Sequence, residues 1–402
     1  MVPHLVVQWP RLGPYHVARL RAADALCRAR GGRLTALETA AQDTTYAWDE
    51  EADVSFERVQ ALPGRSLSDV SAREVFSSVA RTLDRLAPDA VAVNSYSGFD
   101  AQAALLWCRS NGRAAILMSD SKADDSPRRR WKEAFKRRII DQFDAGLIAG
   151  SRSRAYYGNL GLPDAALFEP YDVVGPSVDG PAAVSLDEKP FFLTVARLIA
   201  LKNLDRLLRA YAAYVRTVDA PWRLTVVGDG PERDQLETLK SRLLLDDYVS
   251  FPGFLQHDAI ARHYRSARAL IHPSLKDTWG LVVNEAMAHG LPVAVSEQSG
   301  CVPDIVRDGE NGLVFDAESE ETLTQALVRL HKLGDASRLA WGDASRRIIG
   351  DYTPDHFASA LWDAAAHGLS QPNLNRGVDP IMRTAFAALR WTARTSEPFQ
   401  DV

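Results

Sequence analysis

Cysteine is nearly absent from this chain: three in 402 residues, Cys27, Cys108 and Cys301, set far apart. That scarcity excludes a disulfide framework, and the spacing offers no metal-ligand cluster. Nor does any uninterrupted apolar run approach the length needed to span a bilayer. The opening MVPHLVVQWP lacks the basic-then-apolar layout of a signal peptide and reads as a first core strand, so a cytoplasmic protein is expected. There is no excess of positive charge, and a net charge of −5 argues against bulk nucleic-acid binding. Low-complexity tracts and short-period repeats are missing too. So is a convincing metal-binding Asp-Xaa-Asp, because Asp120, Asp124 and Asp125 crowd one polar loop and read as solvated. No metal or other cofactor is therefore expected.

What the chain does have is alternation. Short apolar runs and helical patterns follow one another throughout, the signature of doubly wound α/β domains. In the first half the strand candidates are 5–9, 34–38, 90–94, 115–119 and 146–149, with a weaker one at 55–61; helical stretches such as 15–28 and 72–86 lie between. The second half restarts the pattern at 191–196, 224–228, 248–251, 269–273, 292–296 and 312–315. A length of 402 residues suits two cores. A stretch rich in Pro, Gly, Ser and Asp separates the halves, giving domains at 1–170 and 191–370 and a linker at 171–190. The segment 371–402 holds a last helical stretch, 380–393, placed to cross back to the first domain. The expected fold is α/β, two Rossmann-like domains facing across a cleft, with ligands at the carboxyl ends of the strands.

The densest chemistry lies in residues 271–296, IHPSLKDTWGLVVNEAMAHGLPVAVS. Asp277 falls in a polar loop ahead of Gly280, and Glu285 about one turn into the helix that follows. The backbone N–H groups around Trp279, Gly280 and Leu281 lack intrahelical partners and form a ready anion site. Two carboxylates flanking such a site suit a ligand with hydroxyls at both ends and phosphate between, a nucleotide-sugar. Upstream, Arg197 leaves a strand end and Lys202 lies near the next helix start, two cations fit for a diphosphate or for solvating a helix start. The GDGP turn at Gly228 reads equally as a pocket wall or a plain tight turn. Gly253 and Phe254 follow a strand and are placed to present backbone and a ring to a base.

The segments at 195–202, 226–231, 251–254 and 273–296, in this order and spacing, resemble the GT-B retaining glycosyltransferases of family four. The family's mark, two acids with seven residues between them ahead of Gly-Xaa-Pro, is carried here by Asp277, Glu285 and Gly290-Leu291-Pro292. GPYHVARL from Gly13 and residues 118–143 also resemble bacterial polysaccharide-type members. The resemblance implies a retaining transfer from a nucleoside-diphosphate-sugar to a hydroxyl of a glycan, lipid-linked or small-molecule acceptor. It implies that Glu285 binds the donor ribose, that Arg197 and Lys202 hold the diphosphate, and that amides from Thr278 to Leu281 meet sugar and phosphate. Asp277 would bond a sugar hydroxyl, yet it is one methylene shorter than the family's usual Glu. A multi-glycine loop after the first strand is replaced by the lone Gly13, followed by Pro14.

On the acceptor side, His16 reads either as a cleft residue or as a cap, and Ser119 and Asp120 either line the acceptor or form an Asx-type turn. The run RRRWKEAFKRR from Arg128 to Arg138 carries seven basic residues and one acid. On a helix Trp131, Phe135 and Ile139 share a face, suited either to an anionic membrane surface, making the protein peripheral there, or to the domain core. Two rival functions remain: a nucleotide-sugar epimerase on the same fold, and an inactive nucleotide-sugar-binding protein.

Overall fold

The structure, a computed structural model, describes residues 3–42, 54–125, 127–175, 190–371 and 377–384. They form two compact units. The first holds the described residues up to Gly175 and from Pro354 onward, the second those from Pro190 to Thr353.

In the first unit the strands are β1 (His4–Trp9), β2 (Arg33–Gln42), β3 (Glu57–Ser66), β4 (Ala90–Asn94), β5 (Ala114–Ser119), β6 (Ala145–Ile148) and β7 (Leu167–Phe168). Between them run helices α1 (Pro14–Ala29), α2 (Ala72–Leu86), α3 (Phe99–Asn111), α4 (Arg130–Ile140) and α5 (Ser151–Leu160). All pairings are parallel, in the order β3-β2-β1-β4-β5-β6-β7. Val6, Val91, Val93, Ile116 and Leu117 are fully buried because the central strands carry apolar side chains on both faces, as helix-covered parallel strands must. Helix α2 starts where Ser71 and Glu74 form a reciprocal capping box, and it turns Val75, Phe76, Val79 and Leu83 into the core.

The second unit repeats the plan with β8 (Phe191–Val195), β9 (Arg223–Val227), β10 (Val249–Gly253), β11 (Ala269–His272), β12 (Val293–Ser296) and β13 (Gly312–Phe315). Its helices are α6 (Leu204–Thr217), α7 (Arg233–Arg242), α8 (His257–Ser266), α9 (Leu281–Ala288), α10 (Val302–Ile305), α11 (Glu320–His331) and α12 (Asp335–Ile349). The parallel order is β10-β9-β8-β11-β12-β13, over a core of Phe192, Leu207, Tyr211, Val226, Ile271 and Leu313. Each sheet therefore reverses its direction of growth once, between β1 and β4 and between β8 and β11. Loops leaving the two strands at such a switch point splay apart and open a crevice at their carboxyl ends.

Three expectations on organisation change. Helix α13 (Pro354–Ser370) belongs to the first unit, so the chain returns there at Pro354, inside the span 191–370 assigned to the second domain. The cause is packing: α13 buries Phe357, Leu361 and Ala364, and Gly368 rides so close to the first sheet that an added Cβ would lie 3.3 Å from Ala114 Cβ. Nor are residues 171–175 a linker. Arg19 pairs with Asp172 at 3.1 Å, both buried, and Trp9 Nε1 donates to the Tyr171 hydroxyl at 3.1 Å. Residues 176–189, the rest of the expected linker, lie outside the described residues. Finally β3 runs to Ser66, past Pro63; it is an edge strand, where a missing N–H is tolerated. Of the helix expected at 380–393 only 380–384 is described, and there Met382 joins the first core while Asp379 pairs with Arg138.

Candidate active site

The second unit's switch point brings together the residues that the sequence singled out. The chain leaves β8 through Arg197, which is exposed, and forms a single 3₁₀ turn ending at Lys202. Asn203 follows in the left-handed conformation, φ 58°, buried, with its amide donating to the Pro273 carbonyl at 3.1 Å and the Ala317 carbonyl at 2.8 Å. The loop leaving β11 meets it: the Leu275 N–H donates to the Leu201 carbonyl at 2.9 Å. Strapped together this way, Lys202 Nζ reaches Asp277 Oδ2 at 2.5 Å. The cation after β8 and the carboxylate after β11 are thus paired across the switch point.

Asp277 has a second neighbour. His272, the last residue of β11 and 2 % exposed in its side chain, places Nε2 3.0 Å from the same Oδ2, on a line too oblique for a good hydrogen bond. Burial raises the Asp277 pKa, but the His272 contact and the Lys202 charge outweigh it and hold the carboxyl well below the usual range. Gly280 precedes α9 with φ 106°; a Cβ there would stand 3.3 Å from His272 Nε2, so glycine serves both the turn and the histidine. Its helix then presents the N-terminal amides of Leu281 and its successors at the same end of the sheet.

Glu285 is buried one turn into α9, and its Oε2 accepts from the Tyr264 hydroxyl at 2.6 Å. Tyr264 on α8 is itself fixed, stacked on His289 at 5.2 Å. Trp279 turns inward: its indole N–H donates to Asn284 Oδ1 at 2.9 Å and its ring packs 5.8 Å from Tyr352. Its side chain is scaffold, leaving only its backbone for a ligand. Thr278, half-buried, stands beside Asp277 and is followed by the glycine turn.

The glycines of the GDGP turn have a different task from a pocket wall. A Cβ on Gly228 would collide with the Ala196 carbonyl, and one on Gly230 would sit 2.5 Å from the Leu198 carbonyl. The Leu198 N–H donates to the Asp229 carbonyl at 2.9 Å, so the close approach is loop to loop and it shapes the path of Arg197. Gly253 is held likewise, its carbonyl accepting from the Gly228 N–H at 2.9 Å, while Phe254 beyond it is 43 % exposed.

In the first unit, Gly13 and His16 cap α1. The Gly13 N–H donates to His16 Nδ1 at 2.9 Å, the ring lies 4.7 Å from that of Trp9, and burial lowers the histidine pKa to about 3. The cap is the alternative that the structure favours. Ser119 is buried, its Oγ accepting from the Tyr157 hydroxyl at 2.6 Å and from the Ser121 N–H at 3.2 Å, which is the turn reading. Asp120 is half-buried, its carbonyl accepting from Ser153. Asp124 and Asp125 are not simply solvated, because both pair with the buried Lys122 ammonium, at 2.9 and 3.4 Å. A buried ammonium needs such partners. Among the described residues no His, Cys, Asp and Glu cluster suited to a metal occurs, and no helix is long and apolar enough to cross a membrane.

The expected basic helix forms, but its apolar face divides. Ile139 is buried and Phe135 packs against the core, whereas Trp131 is 66 % exposed. Three of the cations are committed: Arg128 to Glu133 and to the Tyr156 ring, Lys136 to Glu133, and Arg138 to Asp379.

Comparison with known proteins bears on this site directly. The profile of the family described as "Glycosyl transferases group 1" matches residues 181–348, the stretch that carries Arg197, Lys202, Asp277 and Glu285. That stretch matches the group 1 glycosyltransferases. One relative is a GDP-mannose-dependent alpha-(1-6)-phosphatidylinositol monomannoside mannosyltransferase of Mycobacterium tuberculosis, 29 % identical over 249 residues, 56 % of this chain and 63 % of that protein. Another is the sulfoquinovosyl transferase SQD2 of Arabidopsis thaliana, 30 % identical over 190 residues, 44 % of this chain and 34 % of that one. The chain thus spans between a third and just under two thirds of these curated relatives. In structure it resembles Anabaena HepE in complex with UDP and glucose, with a TM-score of 0.71 at 16 % identity, covering 91 % of this chain and 100 % of that one. At that identity the likeness speaks for the fold alone, which is GT-B, two parallel-sheet α/β domains.

His272, Asn203 and Tyr264 escaped the sequence reading. A histidine closing the otherwise apolar strand ALIH was the one available signal. Nothing marked Asn203, whose role depends on its left-handed backbone, or Tyr264, which meets Glu285 only through the packing of α8 on α9.

Proposed function

We propose that this protein is a glycosyltransferase that moves a sugar, with retention, from a nucleoside-diphosphate-sugar to a hydroxyl of a glycan, lipid-linked or small-molecule acceptor. The observation that carries the reading is the Lys202–Asp277 pair across the second unit's switch point, with Glu285 oriented by Tyr264 on the helix that begins there. In this reading Glu285 takes the ribose hydroxyls, and Lys202, Arg197 and the first amides of α9 take the diphosphate. As the bond from anomeric carbon to phosphate oxygen breaks, its electron pair passes to that oxygen, where the cations stabilise it. The acceptor hydroxyl attacks from the same face and its proton goes to the departing phosphate. Lys202 and Arg197 supply the positive charge, so the reaction proposed needs no metal.

Asp277 is engaged by Lys202 and His272, which argues against its serving as a covalent nucleophile and favours the front-face route. Support for the donor class comes from relatives: HepE has been seen with UDP and glucose, and the mycobacterial enzyme is named for GDP-mannose. Both curated relatives carry the names of sugar transferases, which favours transfer over interconversion. Arg129, Arg130, Lys132 and the exposed Trp131 are proposed to meet an anionic membrane surface at which a lipid-linked acceptor is used. The test is incubation with UDP-, GDP- and dTDP-sugars, with and without an acceptor panel. Product that appears only with acceptor supports transfer, sugar interconversion with donor alone supports an epimerase, and binding without turnover supports an inactive binder.

A further inference from the structure

The donor site has an internal conflict that rests on the reading just given. Lys202 is assigned to the diphosphate, yet it is bound to Asp277 at 2.5 Å, and both side chains are largely buried, 18 % and 16 % exposed. If phosphate draws the ammonium away, a carboxylate is left without its closest counter-charge, and a buried charge stripped of its partner is strongly destabilising. Binding would then work against itself.

One atom is placed to resolve this. His272 Nε2 is fully buried, has no well-aligned hydrogen-bond partner among the described residues, and lies 3.0 Å from the oxygen that Lys202 occupies. Buried ring nitrogens are seldom left without a partner. This one is kept in place by the absent side chain of Gly280, and it faces a carboxylate already taken. We propose that His272 takes over Asp277 when the donor diphosphate claims Lys202, so that the pair parts without leaving the carboxylate unpartnered. His272 is a positioning residue in this scheme: it acts on the donor through Asp277 and does not touch it. A turn of the Asp277 carboxyl toward the ring makes this 3.0 Å contact a hydrogen bond, and no bond between heavy atoms forms or breaks.

The experiment is equilibrium binding of UDP, GDP and dTDP, each alone, to the full chain and to variants at these two positions. His272→Leu keeps the bulk and removes the nitrogen; His272→Gln returns a donor at the reach of Nε2. Whichever nucleotide binds the wild type should bind His272→Leu at least tenfold more weakly and His272→Gln within threefold of wild type. In an Asp277→Asn background, with no charge to hand over, His272→Leu should change affinity less than twofold. A merely structural role would make the Leu effect independent of Asp277 and leave Gln unable to rescue it; either result overturns the proposal. Wild-type binding that His272→Leu leaves unchanged also overturns it, while the functional reading stands. A wild type that binds none of the three nucleotides overturns that reading and the exchange with it.

Discussion

Replacing Lys202 by methionine removes the ammonium from Asp277 and leaves the stem's bulk. Breaking a buried ion pair by deleting one partner costs about 3–5 kcal/mol. Here about a sixth of each side chain is still exposed and His272 remains 3.0 Å from the orphaned oxygen, so we expect about 2 kcal/mol. For a unit of this size that corresponds to about 4–8 °C in Tm. Asp277→Asn should cost less, about 1 kcal/mol or below, because the flexible Lys202 stem lets its ammonium turn to water. The pH dependence has a definite sign. The folded-state pKa of Asp277 lies below its unfolded value, so its contribution is present above about pH 4 and is lost as pH falls toward the depressed folded value. The difference between wild type and Lys202→Met should therefore be full at pH 7 and shrink below pH 4. Differential scanning calorimetry of the ligand-free chain, with the transition of the second unit resolved, reads both effects. A Lys202→Met transition within 1 °C of wild type, or an Asp277→Asn loss larger than that of Lys202→Met, would refute the reasoning.

Tyr264→Phe deletes the 2.6 Å bond to Glu285 and should weaken nucleotide binding about three- to tenfold, roughly one lost hydrogen bond, with Tm changed little; calorimetric titration checks it. Gly228→Ala forces a Cβ onto the Ala196 carbonyl at a φ of 137°, and we expect at least about 2 kcal/mol of destabilisation by thermal melting. His16 is held neutral by burial, its pKa lowered to about 3, so the stability that it contributes is present above about pH 6.5 and is lost as pH falls toward 3. His16→Asn keeps an acceptor for the Gly13 N–H without that titration; its melting temperature should match wild type at pH 8 and gain on it at pH 5. If the basic helix meets lipid, Trp131→Ser combined with Arg129→Ser and Arg130→Ser should abolish sedimentation with phosphatidylglycerol vesicles and leave Tm within 1 °C.

Strand and helix order was legible because central parallel strands are apolar on both faces, and Ser71 with Glu74 marks a helix start as openly as a sequence can. The return of α13 to the first unit was not, because the helix is apolar and alanine-rich and nothing local says which sheet it covers. At the site, Lys202, Asp277 and Glu285 were visible as charges after strand ends. Their use was not: spacing cannot show that Lys202 and Asp277 neutralise one another, or that a strand histidine waits behind them. The glycines of GDGP were legible as a turn, but only the structure tells that the space they leave is filled by the Ala196 and Leu198 carbonyls. His16 shows the same limit, since a histidine three residues past a glycine reads as cleft or cap until the Gly13 N–H is seen pointing at Nδ1.

The central claim is that the second unit's switch point binds the diphosphate of a nucleotide-sugar through Lys202, and isothermal titration of UDP, GDP and dTDP against wild type and Lys202→Ala tests it most directly. The account predicts that at least one nucleotide binds wild type tenfold or more tightly than the variant, an advantage that falls as salt rises. Equal affinity for the two proteins, or no binding to wild type, would contradict it.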